Sequence, residues 1–85
     1  DTQSERHQIW QTINDVINND LTDRQRQVLA AVQIDGVPII EVARLLDTNA
    51  NNIYKLLHDA RLKLKRRLEK LDLEPQYILK LFSDD

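Results

Sequence analysis

The stretch that decides the fold spans residues 38–61 and reads PIIEVARLLDTNANNIYKLLHDAR. Its apolar residues recur at intervals of three and four, which is the spacing of one face of an α-helix. The pattern breaks at Asp47, and a second, longer helix begins about three residues later, with Asn49 as its expected N-cap. A short helix, a brief turn and a longer basic helix form a helix-turn-helix, whose second helix can enter the major groove of DNA.

The two helices of this motif need a small or apolar residue where they cross. Ala43 meets that need, and Val42, Leu46, Ile53 and Leu57 are predicted to form the core of the crossing. Val42, Ala43, Leu45 and Leu46 share the apolar face of the first helix. The longer helix continues the same spacing, and its predicted buried positions are Ile53, Leu57, Ala60, Leu64, Leu68 and Leu71.

The flanking sequence predicts further helices. A leading helix is expected over residues 5–18, capped by Ser4, with Ile9, Ile13, Val16 and Ile17 on one face. Thr22 and Gln25 have the spacing of a capping box, which starts a second helix at Asp23, and Gly36 ends it. Pro38 suits the first turn of the third helix. A last short helix follows Pro75 and includes Tyr77 and Phe82.

These elements predict an all-α fold, a compact four- to five-helix domain that contains a helix-turn-helix. The length of 85 residues suits one domain. Residues 1–20 are expected to form its leading helix, residues 21–71 the helix-turn-helix core, and residues 72–85 a short C-terminal helix and tail.

The composition narrows the function classes. Without cysteine and with only two histidines, we expect no metal site and no cofactor. A single glycine leaves no phosphate-cradling loop, and no spaced acid pair lies in an apolar setting, so we expect no enzyme. No apolar run approaches a membrane span and no signal peptide begins the chain, which indicates a cytoplasmic protein without membrane contact.

Charge is unevenly distributed along the chain. The net charge is −2, yet residues 55–70 hold seven basic side chains and two acidic ones, a local charge of +5 against −7 elsewhere. Such an uneven charge distribution suits a domain that binds nucleic acid through one segment. A solvated helix rich in lysine and arginine explains the same numbers equally well.

Four segments carry a resemblance to a known family. They are residues 21–29 (LTDRQRQVL), Gly36, residues 41–46 (EVARLL) and residues 58–61 (HDAR). Without gaps from Leu21 to about Arg67, the chain resembles region 4 of bacterial sigma factors, particularly the extracytoplasmic-function group. The resemblance implies a domain that binds the −35 element of double-stranded promoter DNA through its last long helix. It also implies docking on the flap of the RNA polymerase β subunit and allows capture by an anti-sigma factor.

The sequence departs from the family pattern at three positions. Asp47 stands where a glycine usually ends the first helix of the motif. Tyr54 and Leu56 stand where basic residues are frequent in the family. We interpret Tyr54 and Leu56 as a sign of altered DNA specificity.

The resemblance allows roles to be assigned to particular residues. The predicted base-reading residues are Asn51, Asn52, Tyr54 and Lys55. The predicted phosphate contacts are Arg24, Arg26, Arg44, Arg61 and Lys63. Alternatively, the asparagines only cap and hydrate the helix, and Arg61 forms an ion pair with Glu41. His58 either touches phosphate or, more commonly for a lone histidine, packs against a neighbouring turn.

The contact with the polymerase should be apolar. The candidate docking residues are Trp10, Ile13, Ile17 and Val28. The alternative is that all four belong to the internal core.

Two other protein classes fit parts of the sequence. A response-regulator-type helix-turn-helix output domain opens with a similar leucine-threonine stretch, but its recognition helix places a histidine about two positions earlier than His58. An interaction-only helical module that has lost DNA binding would explain Tyr54, Leu56 and the acidic balance. Salt dependence distinguishes them, because contact with about four or five phosphates gives a log-log salt slope of roughly −4.

Overall fold

A computed structural model of the chain describes residues 2–71, with side chains from residue 3 onward. Over this range the backbone is helical and contains no strand, which confirms the predicted all-α class. The four α-helices within residues 2–71 are α1 (Thr2–Asp15), α2 (Asp23–Leu29), α3 (Ile39–Leu45) and α4 (Ala50–Glu69). The predicted last helix and the tail, residues 72–85, lie outside the described residues. No helix within residues 2–71 is long and apolar enough to cross a membrane.

The first helix begins earlier than its sequence predicts. Helical backbone starts at Thr2, so Ser4 lies inside the first turn and the predicted Ser4 cap is wrong. At its other end, α1 runs into a π-helical turn, Val16–Asp20. Ile9 and Val16 are buried, Ile13 and Ile17 are half-buried, and the predicted apolar face of this helix is therefore confirmed.

The second helix begins at the predicted capping box. The Gln25 amide donates to Thr22 Oγ1 at 3.1 Å, and the Thr22 amide donates to Gln25 Oε1 at 3.0 Å. After Leu29 the helix widens into a second π-helical turn, Ala30–Ile34. Gly36 follows with φ of +69°, a left-handed conformation that favours glycine, and it ends the helix as predicted.

The third helix is only seven residues long and lies against the Ala30–Ile34 turn. Pro38 occupies its N-cap position, one residue before the first turn in which the sequence placed it. Val42 and Ala43 are buried and Leu46 is half-buried, as predicted. Leu45 is exposed, so its assignment to the apolar face is wrong. It lies about 60° farther round the helix than Val42, at the edge of the solvent face.

The buried residues fall into two units of the chain. Residues 21–60 form one unit, and residues 2–20 together with 61–71 form the other. In the first unit the buried apolar side chains are Leu21, Val28, Leu29, Val42, Ala43, Ile53, Leu57 and Ala60. In the second they are Ile9, Val16, Leu64 and Leu68. Every predicted core position of α4 is buried except Leu71, which is half-buried.

Candidate nucleic-acid interface

The turn between α3 and α4 is a tightly bonded four-residue segment, residues 46–49. The Thr48 amide donates to the Ala43 carbonyl at 2.9 Å, and the Asp47 amide donates to the Arg44 carbonyl at 3.2 Å. This bond pair is the Schellman motif, which requires a left-handed residue just past the helix end. Asp47 is that residue, with φ of 54°. The turn therefore has the geometry that glycine usually provides in this position.

The start of α4 is held by side chains of the same turn. Asn49 Oδ1 accepts a hydrogen bond from the Asn52 amide at 2.9 Å, which confirms Asn49 as the N-cap. Asn52 Nδ2 donates to Thr48 Oγ1 at 3.0 Å. Asn52 thus takes part in a local network through both its main chain and its side chain, which the sequence pattern did not indicate.

The predicted base-reading residues share the solvent-facing side of the first turns of α4. Asn51, Asn52, Tyr54 and Lys55 are all exposed, Tyr54 to 58%. The opposite side of the same turns is buried at Ile53 and Leu57. Burial on one side fixes which residues the helix presents on the other. This surface combines amide, ammonium and phenol groups, the chemistry that hydrogen-bonds and packs against base edges.

Two of the predicted phosphate contacts in residues 21–60 are already engaged. Arg44 Nε donates to the two carboxylate oxygens of Glu41 at 3.1 and 3.2 Å. This hydrogen bonding lowers the pKa of Glu41 and raises the pKa of Arg44 from their ordinary values. Arg26 pairs with Asp23 at 3.1 Å, and Arg24 is exposed. All three guanidinium groups keep solvent contact.

The other two phosphate candidates lie on the second half of α4. Lys63 is half-buried, and its Nζ donates to the Asp20 carbonyl at 3.0 Å. Arg61 is also half-buried. Its alternative assignment was an ion pair with Glu41, but Glu41 pairs with Arg44. His58 is exposed, so it does not pack into a neighbouring turn.

Acidic residues at the end of α1 neutralise part of the basic stretch of α4. Arg67 Nη2 lies 2.5 Å from Asp15 Oδ2, and Arg67 Nη1 lies 2.6 Å from Asp20 Oδ2. Hydrogen bonds from Arg67, and secondarily from Asn19, hold the pKa of the Asp15 carboxyl below its ordinary value. The local charge of +5 therefore overstates the positive charge offered to a polyanion.

The candidate polymerase-docking residues differ in exposure. Trp10 is 63% exposed, and Ile13 and Ile17 are half-buried beside it on the first helical segment. Val28 has no exposed surface, so it is a core residue and its assignment to a docking surface is wrong. Its position on α2 faces inward with Leu29, the other buried apolar residue of that helix.

Comparison with protein families decides between the helix-turn-helix classes. The family described as sigma-70, region 4 matches residues 19–64, just over half of the chain. The chain belongs to the sigma-70 region 4 family. Comparisons with curated proteins and with solved structures give no match. Sigma-70 region 4 is a DNA-binding family of transcription initiation rather than a catalytic one.

The match to sigma-70 region 4 covers the helix-turn-helix and the helix α2 that precedes it. It includes the capping box, the Schellman turn and all nine residues predicted to contact DNA. Trp10, Ile13 and Ile17 lie before its start at residue 19. The proposed DNA contacts therefore rest on the family region, whereas the apolar docking residues rest on exposure and position alone.

Proposed function

We propose that this chain binds the −35 promoter element as region 4 of a sigma factor of the extracytoplasmic-function group. In this proposal the first turns of α4 enter the major groove and the leading helix docks on the β-subunit flap of RNA polymerase. The observation that carries it is the exposed side of α4, where Asn51, Tyr54 and Lys55 project from a helix buried on its other side at Ile53 and Leu57.

Each base-reading residue offers a particular chemistry to the groove. Lys55 can donate to the O6 and N7 acceptors of guanine, and the amides of Asn51 and Asn52 can pair with N6 and N7 of adenine. The ring of Tyr54 provides an apolar surface for a thymine methyl group and a hydroxyl for hydrogen bonding. The contacts that fix register on the duplex are assigned to Arg24, Arg26, Arg44, Arg61 and Lys63.

The assignment to the extracytoplasmic-function group rests on sequence. The segments EVARLL and HDAR, residues 41–46 and 58–61, resemble that group, and both fall inside the matched region. The Schellman turn supports the helix-turn-helix itself, because Asp47 adopts the left-handed backbone that the usual glycine would adopt. The departure at Asp47 therefore preserves the turn on which the motif depends.

Salt dependence of DNA binding tests the proposal. The chain is titrated into a duplex selected from a randomised library and into random-sequence duplex over a range of salt concentrations. We expect preference for the selected duplex and a log-log slope of about −4, which corresponds to about four or five phosphate contacts. A weak slope with no preference for any duplex would contradict the proposal.

An interaction-only module is the second candidate function. Specific observations favour it: Ile40, Leu45 and Tyr54 are exposed apolar side chains, and Arg67 is neutralised by two carboxylates. This candidate predicts that the randomised library yields no preferred duplex. It also predicts that the affinity for DNA does not exceed that of an acidic protein of equal net charge.

A further inference from the structure

The turn of the helix-turn-helix holds one base-reading candidate and leaves its neighbour untethered. Asn52 Nδ2 donates to Thr48 Oγ1 at 3.0 Å across one helical turn. Asn51 is exposed, and its side chain makes no hydrogen bond within residues 2–71. The two adjacent asparagines have the same chemistry and are both exposed, and of the two it is Asn52 whose amide the turn holds.

The bond to Thr48 leaves the base-reading atoms of Asn52 available. A side-chain amide has two N–H donors and one carbonyl acceptor. One N–H is used by Thr48, which leaves the Oδ1 acceptor and the second N–H. That acceptor and donor are the pair that matches N6 and N7 of adenine. The tether therefore restricts rotation of the amide without consuming its recognition atoms.

Thr48 is itself well fixed. Its amide donates to the Ala43 carbonyl at 2.9 Å, so its main chain is part of the Schellman turn. Its side chain is half-buried, and its β-branch restricts rotation about χ1. The Asn52 main chain is fixed as well, through the cap from Asn49 Oδ1 at 2.9 Å. Both ends of the Thr48–Asn52 bond are anchored before any DNA arrives.

We infer that Thr48 is a positioning residue that pre-orients the Asn52 amide for base reading. The inference rests on the proposed function, and it adds a residue that touches no base to the specificity of the site. A recognition group held in its bound rotamer loses less conformational entropy on binding. Asn52 should therefore discriminate between bases more strongly than its untethered neighbour Asn51.

The experiment measures base preference on the duplex selected by the unchanged chain. Asn51→Ala and Asn52→Ala first identify the base pair that each asparagine reads, as the pair whose substitution no longer weakens binding. Thr48→Val, which keeps the branched shape but removes the hydroxyl, is then compared with Thr48→Ser, which keeps the hydroxyl. Thr48→Ala serves as a second hydroxyl-deficient variant, and thermal unfolding confirms that each variant folds.

We expect Thr48→Val to lower discrimination at the Asn52 base pair by about 2- to 12-fold, the effect of one hydrogen bond. Discrimination at the Asn51 base pair should stay unchanged. Thr48→Ser should restore the preference, and Thr48→Val should have no further effect in the Asn52→Ala background. A merely structural role would weaken binding to all duplexes alike and would not separate the two base pairs.

The outcomes distinguish this inference from the function on which it rests. An unchanged chain that prefers no duplex overturns both. A chain that prefers a duplex, but in which Asn52→Ala or Thr48→Val leaves preference unchanged, overturns the positioning role alone. Equal loss at the Asn51 and Asn52 base pairs in Thr48→Val also overturns it.

Discussion

Asp47 shows how one residue can carry a conformation that its side chain disfavours. Its φ of 54° lies in the left-handed region, where an L-amino-acid side chain crowds the following carbonyl. Two main-chain hydrogen bonds of the turn, from the Asp47 amide to the Arg44 carbonyl and from the Thr48 amide to the Ala43 carbonyl, hold it there. The helix end and the start of α4 therefore determine the backbone, and the residue adapts.

Glycine in this position should make the domain more stable. We expect Asp47→Gly to raise the free energy of unfolding by up to about 1 kcal/mol, because the steric cost disappears while the unfolded chain gains some freedom. Asp47→Val should lower it, since a β-branched side chain tolerates this conformation least. Urea unfolding of the three chains provides the comparison. A glycine variant less stable than the unchanged chain would contradict the explanation.

At the scale of the element, one proposed base-reading residue and one proposed phosphate contact lie on different helices, α4 and α3. Lys55 lies on the exposed side of α4 near the amides proposed to read bases, whereas Arg44 projects from α3 and is held by Glu41. A lysine that donates to a base edge affects sequence preference. An arginine that contacts phosphate affects every duplex alike.

Two alanine variants should separate these roles. We expect Lys55→Ala to lose about 1–3 kcal/mol of discrimination at one base pair, and Arg44→Ala to weaken all duplexes while reducing the salt slope by about 1. Lys70→Ala, an exposed lysine in no proposed contact, is the charge control. The measurement is fluorescence anisotropy on selected and random duplexes. Equal losses on both duplexes for Lys55→Ala would remove its assignment to base reading.

The helices were predictable where short-range chemistry determines them. Thr22 and Gln25 stand three residues apart, which is the spacing of a capping box, and Asn49 precedes an apolar repeat. The starts of α2 and α4 are therefore determined by residues close to them in sequence. The π-helical turns were not predictable. A π-turn adds one residue to the usual hydrogen-bonded ring without a characteristic residue pattern, and tertiary packing selects it. Val16, the first residue of the first of these turns, and Leu21, the residue that follows it, are both buried.

The site was predictable to the same extent. The helical repeat correctly placed Asn51, Tyr54 and Lys55 on the exposed side of α4. It did not show the bond from Asn52 to Thr48, because periodicity gives the face of a residue and not its hydrogen-bond partner. Nor did it show that Arg67 pairs with Asp15, a residue 52 positions away.

At the scale of the whole molecule, the indole of Trp10 on the first helix is the largest apolar side chain exposed to solvent among residues 3–71. Trp10 is 63% exposed, and Ile13 is half-buried one turn away. Solvent-exposed tryptophans are frequent anchors of protein interfaces. We therefore retain both residues as the proposed contact with the polymerase flap.

Charge substitution should abolish that contact. We expect Trp10→Glu and Ile13→Glu to weaken binding to a β-flap fragment by about 2 kcal/mol or more, because each places a charge in an apolar interface. Gln11→Glu, an exposed position between them, carries the same charge and should bind nearly as well as the unchanged chain. Pull-down and calorimetry provide the measurement. Equal binding by all three variants would place the polymerase contact elsewhere.

The ion pair of Arg67 with Asp15 makes part of the stability depend on pH. Arg67 depresses the pKa of Asp15 in the folded chain, so this carboxylate contributes stability above its unfolded-state pKa. That contribution is lost as the pH falls through the depressed folded-state pKa. Acid should therefore destabilise the folded chain.

Removing the guanidinium should weaken this acid sensitivity. We expect Arg67→Gln to be less stable at neutral pH and to lose less of its stability as the pH falls, because Asp15 then titrates near its ordinary pKa. Arg66→Gln, an exposed neighbour, is the control and should keep the dependence of the unchanged chain. Urea midpoints across the acid range provide the measurement. Identical pH profiles for both variants would contradict a role for the Asp15 pair.

The same ion pairs also bear on the order in which the chain folds. Arg67 meets Asp15 and Asp20 across 52 and 47 residues of sequence, whereas the capping and turn bonds of residues 21–60 span six residues or fewer. Contacts distant in sequence cost more loop-closure entropy and form after local ones. During synthesis the contiguous unit, residues 21–60, is made before Arg67 is added and leaves the ribosome ahead of it. The part of the molecule proposed to read DNA is thus the part that can fold first on the ribosome.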